Sequence, residues 1–195
     1  MLGLLRHVSR WGLWFGGALI LLAAILIGID VILRKFFTTS IGGADELAGY
    51  ALAIGTAWGL AATLIERAHI RIDSLYVMLP RVCRIFLDFL GLALLILFFA
   101  MVAWHGSGVV MQSWTSGSRS QSALQIPTVI PQSLWIIGLL LFVLVGLALF
   151  ADALLKLKAG DRAGIGRSIG IRSAEEDVEE EIAALKRRQG VAGNS

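Results

Sequence analysis

Four apolar stretches, Gly12–Leu33, Leu47–Ile65, Ile85–Val110 and Leu134–Ala151, constrain this chain more than any other feature. A helix rises ~1.5 Å per residue and the bilayer's hydrocarbon is ~30 Å thick, so about 20 apolar residues cross it. With 57% hydrophobic residues and a mean hydropathy of +0.79, little of the 195-residue chain is left for a globular domain outside lipid. The expected fold is therefore an all-α membrane protein. It is a four-transmembrane-helix bundle with a short interfacial amphipathic segment and a cytoplasmic C-terminal tail helix. The helices are expected near 12–33, 45–66, 81–111 and 131–155, after an N-terminal tail at 1–11. The first run of 22 residues exceeds the ~7–15 of a signal-peptide core and ends in no small-x-small cleavage site, so it reads as an uncleaved anchor.

Basic residues orient the bundle. The N-terminal tail, the second loop and the C-terminal tail carry 14 Lys and Arg, against 3 (Arg34, Lys35 and Arg119) in the other two loops. The positive-inside rule places both termini in the cytoplasm and the loops at 34–46 and 111–133 outside. Trp11 and Trp14 at one end, and Trp104, Trp114 and Trp135 at the other, suit headgroup-level anchors.

Chemistry-bearing residues are sparse. Cys83 is the sole cysteine, which excludes an intramolecular disulfide or a CxxC site. His105 lies near the outer side and His7 and His69 near the inner, so no convergent set for haem or zinc is expected. Asp30 and Arg34 share one helix face four residues apart, with the acid first, the better order for a pair. Asp30 either forms that local pair or makes a polar contact to a partner helix or an ion. Asp45 and Glu46 open helix 2, where the helix dipole favours acids, and Arg34 is placed to pair with Glu46. Gly55 and Gly59 lie on a small-residue stripe that lets another backbone approach closely, in this chain or another.

Between Glu66 and Asp73 charged and apolar residues alternate, and Leu75, Val77, Met78 and Leu79 lead to Pro80. This reads as a short amphipathic element lying in the inner interface. The loop from Gln112 to Ser133 is rich in Ser, Thr and Gly, and Pro127 and Pro131 mark a stiff entry to helix 4. Beyond Leu157 a Gly- and Arg-rich stretch reads as a linker. Ser173-Ala-Glu-Glu176 is a capping box that opens a short tail helix over 174–188, within the cytoplasmic tail 156–195.

Several of these stretches together resemble one family. Val31-Ile-Leu-Arg34-Lys-Phe-Phe, Ala44-Asp-Glu46-Leu-Ala, Arg67-Ala-His69-Ile-Arg71-Ile-Asp73 with Leu79-Pro80, and Ser122-Ala-Leu-Gln-Ile-Pro127 with Pro131 are similar to the small permease (Q-type) subunit of tripartite ATP-independent periplasmic (TRAP) transporters. The resemblance covers roughly residues 15–155 in the same order. Ala68 stands where that family's inner loop has glycine, and the C-terminal tail is longer.

The resemblance implies a division of labour. A large membrane permease subunit carries substrate and coupling cations, and a periplasmic binding protein captures the substrate, usually an organic acid anion. The small subunit widens the static scaffold in the bacterial inner membrane. Uptake is driven by an ion gradient, usually sodium, without ATP hydrolysis. On this reading Asp30, Arg34 and Glu46 hold the outer half. Arg67, His69, Arg71 and Asp73 organise the inner interface and meet lipid or the large subunit, and Gly55 and Gly59 form a packing face. No catalytic residue, substrate ligand, metal, cofactor or nucleic-acid partner is expected. The alternatives are a self-associating four-helix channel or exporter, which the glycine stripe permits, and a membrane redox enzyme, which would need paired His, a dithiol or convergent acids.

Overall fold

The computed structural model describes residues 2–67, 79–161, 164, 169, 170 and 182. They form four long helices, α1 (Leu2–Phe37), α2 (Ala44–Ile65), α3 (Arg81–Ser116) and α4 (Val129–Lys158), each long and apolar enough to cross a membrane. The fold is thus the all-α four-helix membrane bundle the apolar stretches predict. Among the described residues the only β-type pairing is an isolated bridge between Arg119 and Pro127. The amphipathic segment expected before Pro80 lies largely outside the described residues. So does the tail helix expected over 174–188, apart from Ile182.

The helices pack in the order α1, α2, α4, α3. Helix α2 contacts both α1 and α4, α4 contacts both α2 and α3, and α1 meets α4 only slightly. Two helices are therefore inner and two outer. The α1–α2 turn and the α3–α4 loop meet at one end of the bundle, here the turn end. The other end, which carries the start of α1 and the finish of α4, is the terminal end.

Helix α1 extends well past the run 12–33, at both ends. Its amino-terminal turns, expected as a tail, are helical because they continue the packing seam of the membrane span. Leu5, Ser9, Gly12, Gly16, Leu19, Ala23, Leu26, Asp30 and Leu33 are buried or half-buried, and every other described α1 side chain is exposed. Their spacing alternates four and three residues without a break. A mean repeat of 3.5 keeps one stripe of α1 facing its neighbours along the whole helix, chiefly α2, with Leu5 at its start reaching the cluster of Ala153 and Ile169. The seam holds small residues where the backbones come closest. A Cβ on Gly16 would lie 2.5 Å from the Gly55 carbonyl oxygen, and one on Gly55 would lie 2.8 Å from that of Gly16. Side chains at both positions would force the helices apart, so the contact requires glycine on each side.

The core lies where α2 and α3 meet α4. Phe142 and Val145 of α4 are fully buried, with Ala61 and Leu64 of α2 and Leu92 and Ile96 of α3 in the same cluster. Phe99 of α3 packs against Phe142 with ring centroids 4.5 Å apart and the rings tilted by 56°, and Phe89 meets Phe150 edge-on at 5.4 Å. Trp58 wedges between α2 and α4: a Cβ on Gly138 would lie 2.7 Å from its ring. Its indole Nε1 donates to the Leu134 carbonyl at 2.9 Å. That bond closes an indole N–H that lipid tails have no acceptor for.

Helices α3 and α4 both end in αL glycines. Ser118 N–H donates to the Ser113 carbonyl beyond Gly117, and Asp161 N–H to the Lys156 carbonyl beyond Gly160, the six-to-one bonds of Schellman caps. The stretch after Leu157, read as a linker, does not leave the bundle entirely. Ile169 is buried in the core cluster that holds Leu5 and Ala153, because an isoleucine in a Gly- and Arg-rich stretch gains from entering an apolar site.

Candidate functional site

The polar groups of the turn end form one connected clasp. Asp30 sits on the buried seam of α1 and is only 2% exposed. A lone Asp costs about 2.5–3.5 kcal/mol at mid-membrane on insertion scales and less near a helix end, and partners lower that cost further. Asp30 has three. Arg34 forms an ion pair with it one turn further along α1. The Ser40 hydroxyl donates to Asp30 Oδ1 at 2.9 Å, and the Ile41 backbone N–H donates to the same oxygen at 2.7 Å. Asp30 thereby ties the turn after α1 back onto the helix that enters it. The sequence left two readings of this residue, and the structure shows the local pair with Arg34.

Arg34 reaches on to Asp45 at 3.5 Å rather than to Glu46. Asp45 points outward from the first turn of α2, while Glu46, one residue on, is rotated about 100° around the helix. Glu46 turns instead toward the α3–α4 loop, facing the hydroxyls of Ser122, Tyr50 and Ser120. Its Oε1 is buried and meets no donor of good hydrogen-bond geometry.

That loop is folded, not open. Ser120 N–H donates to the Ile126 carbonyl at 2.9 Å, Thr128 N–H to the Ser118 carbonyl at 3.1 Å, and Arg119 Nη1 to the Gln125 carbonyl at 3.2 Å. It lies over the glycine turn. Gly43 has φ +115°, a backbone state closed to L side chains, and a Cβ there would meet Leu124 at 2.7 Å. The α1–α2 turn and the α3–α4 loop therefore brace one another.

The remaining candidate residues are dispersed. Gly55 contacts Gly16 within the chain, whereas Gly59 has only Leu13 nearby, at 3.8 Å from an added Cβ. Arg67 lies just past α2 with φ +55°. His69, Arg71 and Asp73 lie outside the described residues. His105 lines an apolar groove of about 530 Å³ between α3 and α4, with Phe98, Met101, Val109, Gln132 and Trp135. Among the described residues no group of His, Cys, Asp and Glu is placed to hold a metal ion.

Sequence reasoning did not single out Gly16, Trp58 or Gly138, nor Ser40 and Ile41, which hold Asp30. Gly12-x-x-x-Gly16 has the same spacing as Gly55-x-x-x-Gly59 and was a usable signal for a glycine contact between helices 1 and 2. Nothing in the sequence links Trp58 to Leu134.

The ion pairs and hydrogen bonds of the clasp are spent on joining elements of one chain. Its outer helices are apolar on almost every face. This arrangement defines a multi-pass helical membrane protein whose polar groups serve assembly. The family described as "Tripartite ATP-independent periplasmic transporters, DctQ component" matches residues 23–156, and the chain belongs to it. No curated protein and no solved structure matches the chain.

Proposed function

We propose that the chain is the supporting membrane subunit of a TRAP transporter in the bacterial inner membrane. It joins a large permease subunit and enlarges the fixed frame against which that subunit moves. The substrate is an organic acid anion delivered by a periplasmic binding protein, and uptake is driven by an ion gradient, usually sodium. Both termini face the cytoplasm, as the 14-to-3 distribution of basic residues favours. The chain performs no catalysis.

One observation carries this reading beyond family membership. The most apolar windows of α1 and α3 are only 11% and 17% buried within the chain, while Asp30, one of two buried aspartates among the described residues, is already paired inside it. Such a molecule offers broad apolar flanks to a neighbour and has committed that acid to its own turn. Secondary-transporter sites are commonly built from interrupted helices near the midplane. The four helices here run without a break.

The test is reconstitution. The chain alone in liposomes is expected to take up no organic acid under a sodium gradient. Co-expression with a large TRAP permease subunit from the same organism is expected to yield a complex that survives detergent purification. Ion-coupled uptake by the chain alone would overturn the proposal, and so would crosslinking that found only copies of this chain.

A further inference from the structure

The amino-terminal turns of α1 have no role in the clasp, yet they carry two arginines, two tryptophans and a leucine facing outward. Helix α1 has 36 residues, about 54 Å of helix, against a hydrocarbon layer of ~30 Å. The 20 residue steps from Trp14 to Arg34 account for about 30 Å, with an aromatic anchor at one boundary and a snorkelling cation at the other. That register puts Arg10 about 6 Å beyond the hydrocarbon edge and Arg6 one turn further; a headgroup layer is roughly 5–7 Å deep.

Arg6, Arg10 and Trp14 follow one another at four-residue spacing, on one face of α1. Both arginines are exposed, and neither has a carboxylate partner or any other polar contact among the described residues. On the same face Trp14 is 74% exposed, while Trp11 and Leu4, also exposed, lie about 100° or more round the helix from either arginine. Free guanidiniums alone would suit any anion. Guanidiniums followed on the same face by an exposed indole suit an anion attached to an apolar chain. An acidic protein segment would match the charge but leave Trp14 bare.

We infer that the face of α1 formed by Arg10 and Trp14 binds the headgroup of an anionic phospholipid, with the Arg10 guanidinium on the phosphate, the Trp14 indole against the acyl-chain root, and Arg6 adding positive charge just outside the headgroup layer. The planar guanidinium can present two parallel N–H donors to a phosphate, which an ammonium cannot. The inference needs only that α1 spans a bilayer, and it stands apart from any transport role.

The experiment mixes the purified full chain, in neutral detergent, with equimolar phosphatidylglycerol and phosphatidylcholine, and counts retained lipid by native mass spectrometry. Phosphatidylglycerol is expected to be retained in preference. Arg10→Gln is expected to weaken that retention about fivefold, the equivalent of ~1 kcal/mol for one basic residue near the surface. Arg6→Gln, further from the hydrocarbon, is expected to do less. Lys35→Gln removes the same charge from the opposite end of α1 and is expected to leave retention unchanged. Equal retention of the two lipids would overturn the inference, as would an unaffected Arg10→Gln or a matching loss in Lys35→Gln. Inorganic phosphate, compared with chloride at equal ionic strength, is expected not to displace the lipid; displacement would make this a plain anion site and overturn the lipid assignment.

Discussion

Helices α2 and α4 each bury 39% of their most apolar window inside the chain, whereas α1 buries 11% and α3 17%. All four are built largely from Leu, Ile, Val, Ala, Gly and Phe, so composition does not explain the difference. Position does. The inner helices are held by shape: Gly138 admits Trp58, and Phe142 and Val145 fill the space that remains. The outer helices touch the rest of the chain along single seams and show their other faces to whatever lies beside them. In water that exposure would be ruinous; in lipid it costs little, since acyl tails are as apolar as leucine. The comparison separates two uses of one composition, packing within the chain and display to the membrane or a partner subunit.

The largest expected effect comes from breaking the seam that joins an outer helix to an inner one. Gly16→Leu drives a side chain into the Gly55 backbone, where even a Cβ would be 2.5 Å from oxygen. A loss of about 3 kcal/mol, the upper end of ordinary overpacking, is expected. A disulfide engineered between α1 and α2 near this level should then no longer form.

Next is the clasp. Asp30→Ala leaves the Ile41 N–H, the Ser40 hydroxyl and Arg34 without their shared acceptor. About 2 kcal/mol is expected from such orphaned groups. Hydrogen exchange at Ile41 should rise while exchange in the α4 core stays slow. Asp30→Asn, which keeps an acceptor oxygen, should recover part of the protection.

Trp58→Phe tests the inner pair more gently. It deletes the bond to the Leu134 carbonyl and shrinks the ring that packs against Gly138. A drop near 0.6 kcal/mol, at most ~1.7, is expected in a thermal melt of the purified chain, as for other interhelical bonds in membranes. The smallest effect should come from an outer face. Leu22 on α1 is 61% exposed, and Leu22→Ala should stay within ~0.5 kcal/mol in the isolated chain. A large loss there would erase the distinction between inner and outer helices.

Much of this was legible in the sequence, though unevenly. The spans, the charged helix ends and the Asp30–Arg34 pair follow from length, hydropathy and four-residue spacing. The choice of Asp45 over Glu46 by Arg34 was not legible. The two acids are adjacent, and only the folded α3–α4 loop, with Ser120 and Ser122 facing Glu46, separates their surroundings. The burial of Ile169 was equally hidden, because a lone isoleucine in a Gly- and Arg-rich stretch gives no periodicity to read.

The seam of α1 marks the boundary between the two kinds of information. By itself the sequence determined that this helix crosses a bilayer, where its charged ends lie, and to which family its motifs point. Hydropathy could not say which face is buried, because a helix apolar all round has no polar side to turn outward and the solvent it meets is as apolar as its core; only the Gly12–Gly16 spacing pointed to one. That choice fell to backbone approach. Gly16 and Gly55 meet where two helices can come closest, and the rest of the seam follows from their register.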